Sequence, residues 1–248
     1  MCSPVNNGHD VCVIEFMNAA APHEQHPHFG RPLCRDDLIS GGLRAAFLKA
    51  NSSVQTWTDA QLERSLNCTL AHIPAGDVWV FAYGSLIWNP LFPFADRRLA
   101  RVYGFHRSFC LWSRIGRGTP EKPGLVLGLD QGGSCGGLAY RIAATHVREE
   151  LRLLWRREMV TGSYVPTWVK ARTPLGAVPA IAFVVDQHTA NYAGRLATPE
   201  AARCIAGASG LHGACAEYLI RTLTGLREHG IDDHSLRDVE RALGALTA

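Results

Sequence analysis

A carboxylate stands where an apolar side chain is expected. Between His146 and Val160, the residues Val147, Leu151, Leu154 and Trp155 recur at the spacing of one helical face. At about 100° per residue, position 158 falls near the centre of that stripe, and the residue there is Glu158. An inward carboxylate must be paired, hydrogen-bonded or protonated, because desolvation disfavours its charged form. Spacing leaves two readings level. One is a structural carboxylate held by backbone amides or by an arginine. The other is a general acid/base of raised pKa lining a cavity. On the same helical wheel Arg156 and Arg157 point away from the stripe centre, Glu149 lies on the solvated far face, and Glu150 sits at the stripe edge.

Three loops could bring partners to that carboxylate. Tyr83-Gly84-Ser85-Leu86 follows a short apolar run, and its glycine lets successive amides converge on an anion, with the Ser85 hydroxyl adding a hydrogen bond. For an isolated motif of this kind a plain strand-ending turn is the favoured explanation. The segment Arg114–Gly124 carries Arg114, Arg117 and Lys122 among turn-forming residues, so it suits either a cover that attracts anions or an ordinary surface loop. It lacks the phosphate-loop pattern. Gly207, Gly210 and Gly213 precede Glu217-Tyr218-Leu219 and permit close backbone approach, with Tyr218 facing either a ligand or the core. His9, His23, His26, His28 and Cys34 match no closed zinc spacing, and no metal is expected. Cys110 and Cys135 sit in or beside apolar strands, where a thiol is inert core.

The elements that must position these groups follow from pattern. Residues 1 to about 35 show no periodicity. Leu38, Leu43, Ala46, Phe47 and Ala50 then trace a helical face, and Thr58 caps a second helix carrying Leu62, Leu66 and Leu70. Pro74-Ala-Gly76-Asp77 breaks the pattern, which divides the chain into an extension over 1–76, irregular and then helical, and a main domain over 77–248. Strands are expected at Val78–Tyr83, Leu99–Phe105, Ser108–Trp112, Gly124–Asp130, Gly136–Ile142, Tyr164–Arg172 and Val178–Val185, with a hairpin at Gln131–Ser134. Helices are expected at His146–Val160, Pro199–Ile205, His212–Glu228 and His234–Ala245. Many strands with few βαβ alternations point to an α+β chain, a small barrel flanked by helices.

Composition narrows the function classes. The 248 residues are 47% hydrophobic, enough for a real core, and the net charge of +3 is too mild for a nucleic-acid binder. No apolar run reaches the roughly 18 residues of a membrane span. The 8 cysteines are scattered without a CxxC pair and no secretory signal is visible, so the expected compartment is the cytoplasm.

Taken together, Val78-Trp-Val-Phe-Ala-Tyr-Gly-Ser-Leu-Ile-Trp88, Gly116-Arg-Gly-Thr-Pro-Glu-Lys-Pro-Gly124, Cys135–Ile142, Trp155-Arg-Arg-Glu-Met159, Gly162-Ser-Tyr164 and Glu217-Tyr218-Leu219 resemble the ChaC-like family of γ-glutamylcyclotransferases in order and spacing. The resemblance covers roughly residues 77–225, and the upstream helices resemble the extension of bacterial members. It implies a small mixed β-barrel of the γ-glutamylcyclotransferase type. It also implies cleavage of a γ-glutamyl amide, that of glutathione, to 5-oxoproline and a free amine. Tyr83, Gly84, Ser85 and Leu86 would then hold the γ-glutamyl group, Glu158 would be the catalytic acid/base, and Tyr164 and Tyr218 would line the pocket. No protein nucleophile or cofactor is implied, because the substrate's own α-amine attacks its γ-carbonyl. Other γ-glutamyl amino acids or amines as substrates, or a binding-only module on the same barrel, remain the competing expectations. Oligomeric state is not legible.

Overall fold

The computed structural model describes residues 32–50, 54–71 and 76–247. Three helices lead: α1 (Arg35–Ile39), α2 (Gly42–Ala50) and α3 (Asp59–Leu70). The periodic face through Leu38 and Phe47 is thus split in two, because Gly41 takes a φ of 72° that breaks the helix. Thr58 caps α3 as its spacing predicts, accepting from the Gln61 amide while the Gln61 side chain accepts from the Thr58 amide.

The centre is a closed barrel built from β1 (Val78–Ala82), β2 (Asp96–Ser113), β3 (Gly124–Ile142), β4 (Tyr164–Thr173) and β5 (Gly176–Val185), in the order β1-β3-β2-β4-β5. Between β3 and β4 the chain forms α4 (Val147–Glu158). Every residue of β1 is buried. It pairs antiparallel with β3 and parallel with β5, a two-sided burial that explains its unbroken apolar run.

In the sheet the structure corrects the expected hairpin. Gln131–Ser134 is not a hairpin turn. β2 and β3 pair from Asp96↔Arg141 to Ser113↔Gly124, merging four expected strands into two long ones. The register shifts where Gly104 opposes Gly132 and Gly133, all three at positive φ, so the glycines bend the ladder instead of reversing the chain. The reversal comes earlier in the chain, in the loop over 114–123 that joins β2 to β3.

After the barrel come α5 (Thr198–Gly207), the two-residue strands β6 (Ser209–Gly210) and β7 (Gly213–Ala214), α6 (Cys215–Glu228) and α7 (His234–Thr247). The expected helix start at His212 moves to Cys215 because Gly210 and Gly213 pair as strand. α4 lies against the barrel through Leu151, Leu154 and Trp155, whose ring meets Phe183 edge-on at 5.2 Å. Leu62 and Leu66 of α3 share that core. The opposite side of α4, with Leu153, packs on Leu38 and Leu43 of α1 and α2. No helix of the described residues is long and apolar enough to cross a membrane.

Candidate active site

Glu158 is the last residue of α4, and Tyr164 is the first of β4. A tight turn separates them. The Gly162 amide donates to Met159 O at 3.0 Å, and Gly162 sits at a φ of 64° against the Trp57 ring, leaving no room for a side chain. That turn aims both side chains into one cleft of about 460 Å³. Ser85, Arg157, Ser163, Asn191 and Tyr218 also face it, together with the Ser113–Arg117 segment.

The turn after β1 forms a short 3-10 helix, Ser85–Ile87. The Ser85 and Leu86 amides open that helix and so have no acceptor within it. Of the four residues expected here, Ser85 reaches the cleft. Leu86 is buried in the core. The Tyr83 hydroxyl donates to Phe183 O at 2.7 Å, which ties the turn to β5. Gly84 backs onto Tyr218, whose hydroxyl would lie 3.2 Å from any added Cβ. Tyr164 donates to Leu127 O at 3.0 Å, and the Leu127 amide donates to the Tyr218 hydroxyl at 3.4 Å, so both tyrosines hang on one residue of β3.

Arg157 corrects the helical-wheel reading, which turned it away from the stripe. Its side chain is only 7% exposed and its Nε lies 3.0 Å from Glu158 Oε1. It also donates to Ser85 Oγ at 2.9 Å and to the Asn89 carbonyl. The helix's final turn is where the stripe widens, and the turn after β1 supplies the acceptors that draw the guanidinium in. Glu150 departs from its expectation too. It is 2% exposed and forms a two-pronged ion pair with Arg35 at 2.6 and 2.7 Å.

Glu158 is 14% exposed, and no hydrogen bond reaches its buried Oε1 despite the nearby guanidinium. Burial raises its pKa above the ordinary 4.5, with the Arg157 charge opposing that rise. Burial likewise lowers Arg157, with Glu158 pulling the other way. Tyr83, Tyr164 and Tyr218 are all pushed well above 10, first by burial. They therefore stay protonated, beside a carboxyl whose charged form burial disfavours. Such a site can hold a polar substrate in a partly dry cleft and pass a proton twice. Among the described residues no group of three or more His, Cys, Asp or Glu could hold a metal ion. His9, His23, His26 and His28 lie outside the described residues.

The family model for ChaC-like protein matches residues 78–245. The chain belongs to the ChaC-like family. It is 39% identical over 209 residues, 84% of this chain and 90% of the relative, to the glutathione-specific gamma-glutamylcyclotransferase of Escherichia coli (strain K12). It is 32% identical over 176 residues, 68% of this chain and 79% of the relative, to glutathione-specific gamma-glutamylcyclotransferase 1 of Mus musculus. Among solved structures, a γ-glutamyl cyclotransferase specific to glutathione from yeast superposes with a TM-score of 0.63 at 22% identity, over 68% of this chain and 96% of that one. At that identity the likeness establishes the fold alone.

In this ChaC-like chain the structure brings Ser85, Glu158, Tyr164 and Tyr218 to one cleft, and packs Tyr83, Gly84 and Leu86 directly behind it. Sequence reasoning missed Asn191, which accepts from Arg114 at 2.9 Å and donates to Ser163 at 3.0 Å. It sits in the irregular stretch after β5, where no periodicity marks it. It also missed the wall contributed by Leu43 and Phe47. These residues look like ordinary core positions of an amphipathic helix.

Proposed function

We propose that this ChaC-like chain is a cytoplasmic glutathione-specific γ-glutamylcyclotransferase, with 77–248 as the catalytic unit and 1–76 as an extension of it. The observation that carries the reading is Glu158 Oε1, buried at the cleft and reached by no hydrogen bond, on a carboxyl of raised pKa.

The γ-glutamyl group curls so that its α-amine faces its own γ-carbonyl. Holding that bend removes much of the entropic barrier. The Gly84–Leu86 turn anchors the γ-glutamyl end, its α-carboxylate meeting backbone amides of the turn and the Ser85 hydroxyl. Glu158 takes a proton from the α-ammonium, and the amine then attacks the γ-carbon to close a five-membered lactam. The attack leaves the ring nitrogen charged, with two hydrogens; the C–N bond to cysteine breaks as Glu158 returns its first proton to the leaving nitrogen, and the ring nitrogen's second proton follows by the same carboxylate, so that Cys-Gly departs as an ammonium. The products are 5-oxoproline and Cys-Gly, with every atom of substrate accounted for and no water consumed. Arg157 holds both Glu158 and Ser85, which fixes base and anchor relative to one another. Tyr164 and Tyr218 hold the far side of the cleft and stay protonated throughout.

The test is an incubation with glutathione followed by mass spectrometry. The expected result is 5-oxoproline and cysteinylglycine in equal amounts, with slower release from γ-glutamyl-alanine. Glutathione bound tightly yet recovered intact would replace the enzyme with a binding module.

A further inference from the structure

We infer that α2, through Leu43 and Phe47, forms the wall against which the leaving Cys-Gly half rests, and that Phe47 limits what the substrate sulfur can carry; this rests on the function proposed above. The match to the family begins at residue 78. Yet Leu33, Leu43, Phe47 and Val54, all ahead of that point, line the same cleft as Glu158. The cleft is therefore incomplete without the extension.

Leu43 packs with Leu153 of α4 and Val160, with Phe47 against the same cluster, and α1, which leads directly into α2, is fastened to the helix that carries the base. Glu150 of α4 grips Arg35, and Arg156 of α4 donates to the Leu38 and Ile39 carbonyls at 3.1 and 3.0 Å. Asn89, just beyond the turn after β1, donates to Leu33 O at 3.1 Å. Base, turn and wall thus share one set of anchors. Across the cleft the Phe47 ring meets His212 of the β6–β7 turn at 6.4 Å between centroids, so the phenyl spans toward the opposite side.

Chemistry assigns the two ends. The polar end gathers Ser85 of the turn after β1, Glu158 of α4, Tyr164 of β4 and Tyr218 of α6, and there cyclisation has to curl the γ-glutamyl half tightly. The leaving half extends away from it. Its one side chain is a short thiol-bearing methylene, small and largely apolar, which suits contact with Leu43 and the half-buried Phe47. A benzyl group in that position leaves room for a thiol and little for a longer sulfur substituent.

The experiment compares kcat/KM for glutathione and S-hexylglutathione by 5-oxoproline release. The unsubstituted chain is expected to favour glutathione. Phe47→Ala should narrow that preference by about tenfold or more, the worth of a few methylenes accommodated in an opened pocket. Phe47→Trp should widen it, mainly by raising KM for the hexyl compound. A merely structural role would scale both substrates together and would not move the ratio in opposite directions. If glutathione is turned over and the ratio stays put in whichever variants fold, this inference falls and the proposed function stands. If the unsubstituted chain releases no 5-oxoproline, both fall.

Discussion

The role proposed for Glu158 rests on a mismatch between its place and its partners. Arg157 approaches it without directing a hydrogen bond at Oε1, and burial outweighs the pairing, so the carboxyl sits above 4.5. Glu158→Gln keeps the shape and removes the proton carrier. We expect 5-oxoproline release to fall by at least about a hundredfold, the usual worth of a general acid/base, with glutathione binding retained by calorimetry. The pH profile tests the same balance. In the proposed mechanism turnover needs the ionised carboxylate, so kcat should fall on the acid side, at a pH above the ordinary glutamate value. Removing the neighbouring cation in Arg157→Met withdraws the one influence that lowers this pKa, and the acid limb of kcat should move to higher pH. Arg157→Lys should move it less. An acid limb left unmoved in Arg157→Met would mean that Arg157 does not set the charge on Glu158. Glu158 was legible because a period of 3.6 residues fixes which face a side chain shares with its neighbours. Arg157 was not, because the acceptors that draw it inward, Ser85 and Asn89, belong to a turn some seventy positions earlier.

At the scale of elements, α4 is the organiser, buried on one side by the barrel and on another by α1 and α2. The apolar stripe announced the first contact. The second was hidden, because its signature is a charged residue, Glu150, whose partner Arg35 lies far away in sequence. The pair is unequal: Glu150 is 3% exposed in its side chain and Arg35 is 33% exposed. Arg35→Ala strands a buried carboxylate and should cost about 3 kcal/mol. Glu150→Ala leaves a guanidinium able to turn toward water and should cost roughly 1 kcal/mol. Urea denaturation of the two variants measures the order, and equal losses would contradict the asymmetry. In the β2–β3 ladder the local signal misled for the opposite reason. Two adjacent glycines read as a turn, whereas the long-range pairing of two strands of 18 and 19 residues turned them into a bend.

For the whole molecule, the strand positions and the barrel class were readable from short apolar runs, but nothing local says how distant segments are fastened. Arg107 is one such fastening. Its side chain, 1% exposed, lies on β2 and donates to the Tyr83 carbonyl at the head of the cleft turn, to the Gly136 carbonyl on β3 and to Asp233 ahead of α7. Asp233 in turn accepts from the Leu236 amide at 3.0 Å, capping α7. One guanidinium therefore joins the turn after β1, the long hairpin and the C-terminal helix. Arg107→Met preserves most of the buried stem but strands two carbonyls and a carboxylate. Its expected cost is about 3–5 kcal/mol, in the range for breaking a buried ion pair from one side. Asp233→Asn keeps one of the two accepting oxygens and loses the charge, so it gives up either the bond from Arg107 or the cap on the Leu236 amide but strands no carboxylate, and its cost should be about half as large. Because Arg107 holds the backbone of Tyr83 and not its side chain, the loss should also reach the chemistry. At temperatures where Arg107→Met is still folded, kcat should drop with the looser turn, while Asp233→Asn stays closer to the unsubstituted rate. Chemical denaturation and 5-oxoproline release on the same samples separate the two effects. A destabilised Arg107→Met variant with undiminished kcat would show that the turn keeps its geometry without this tie.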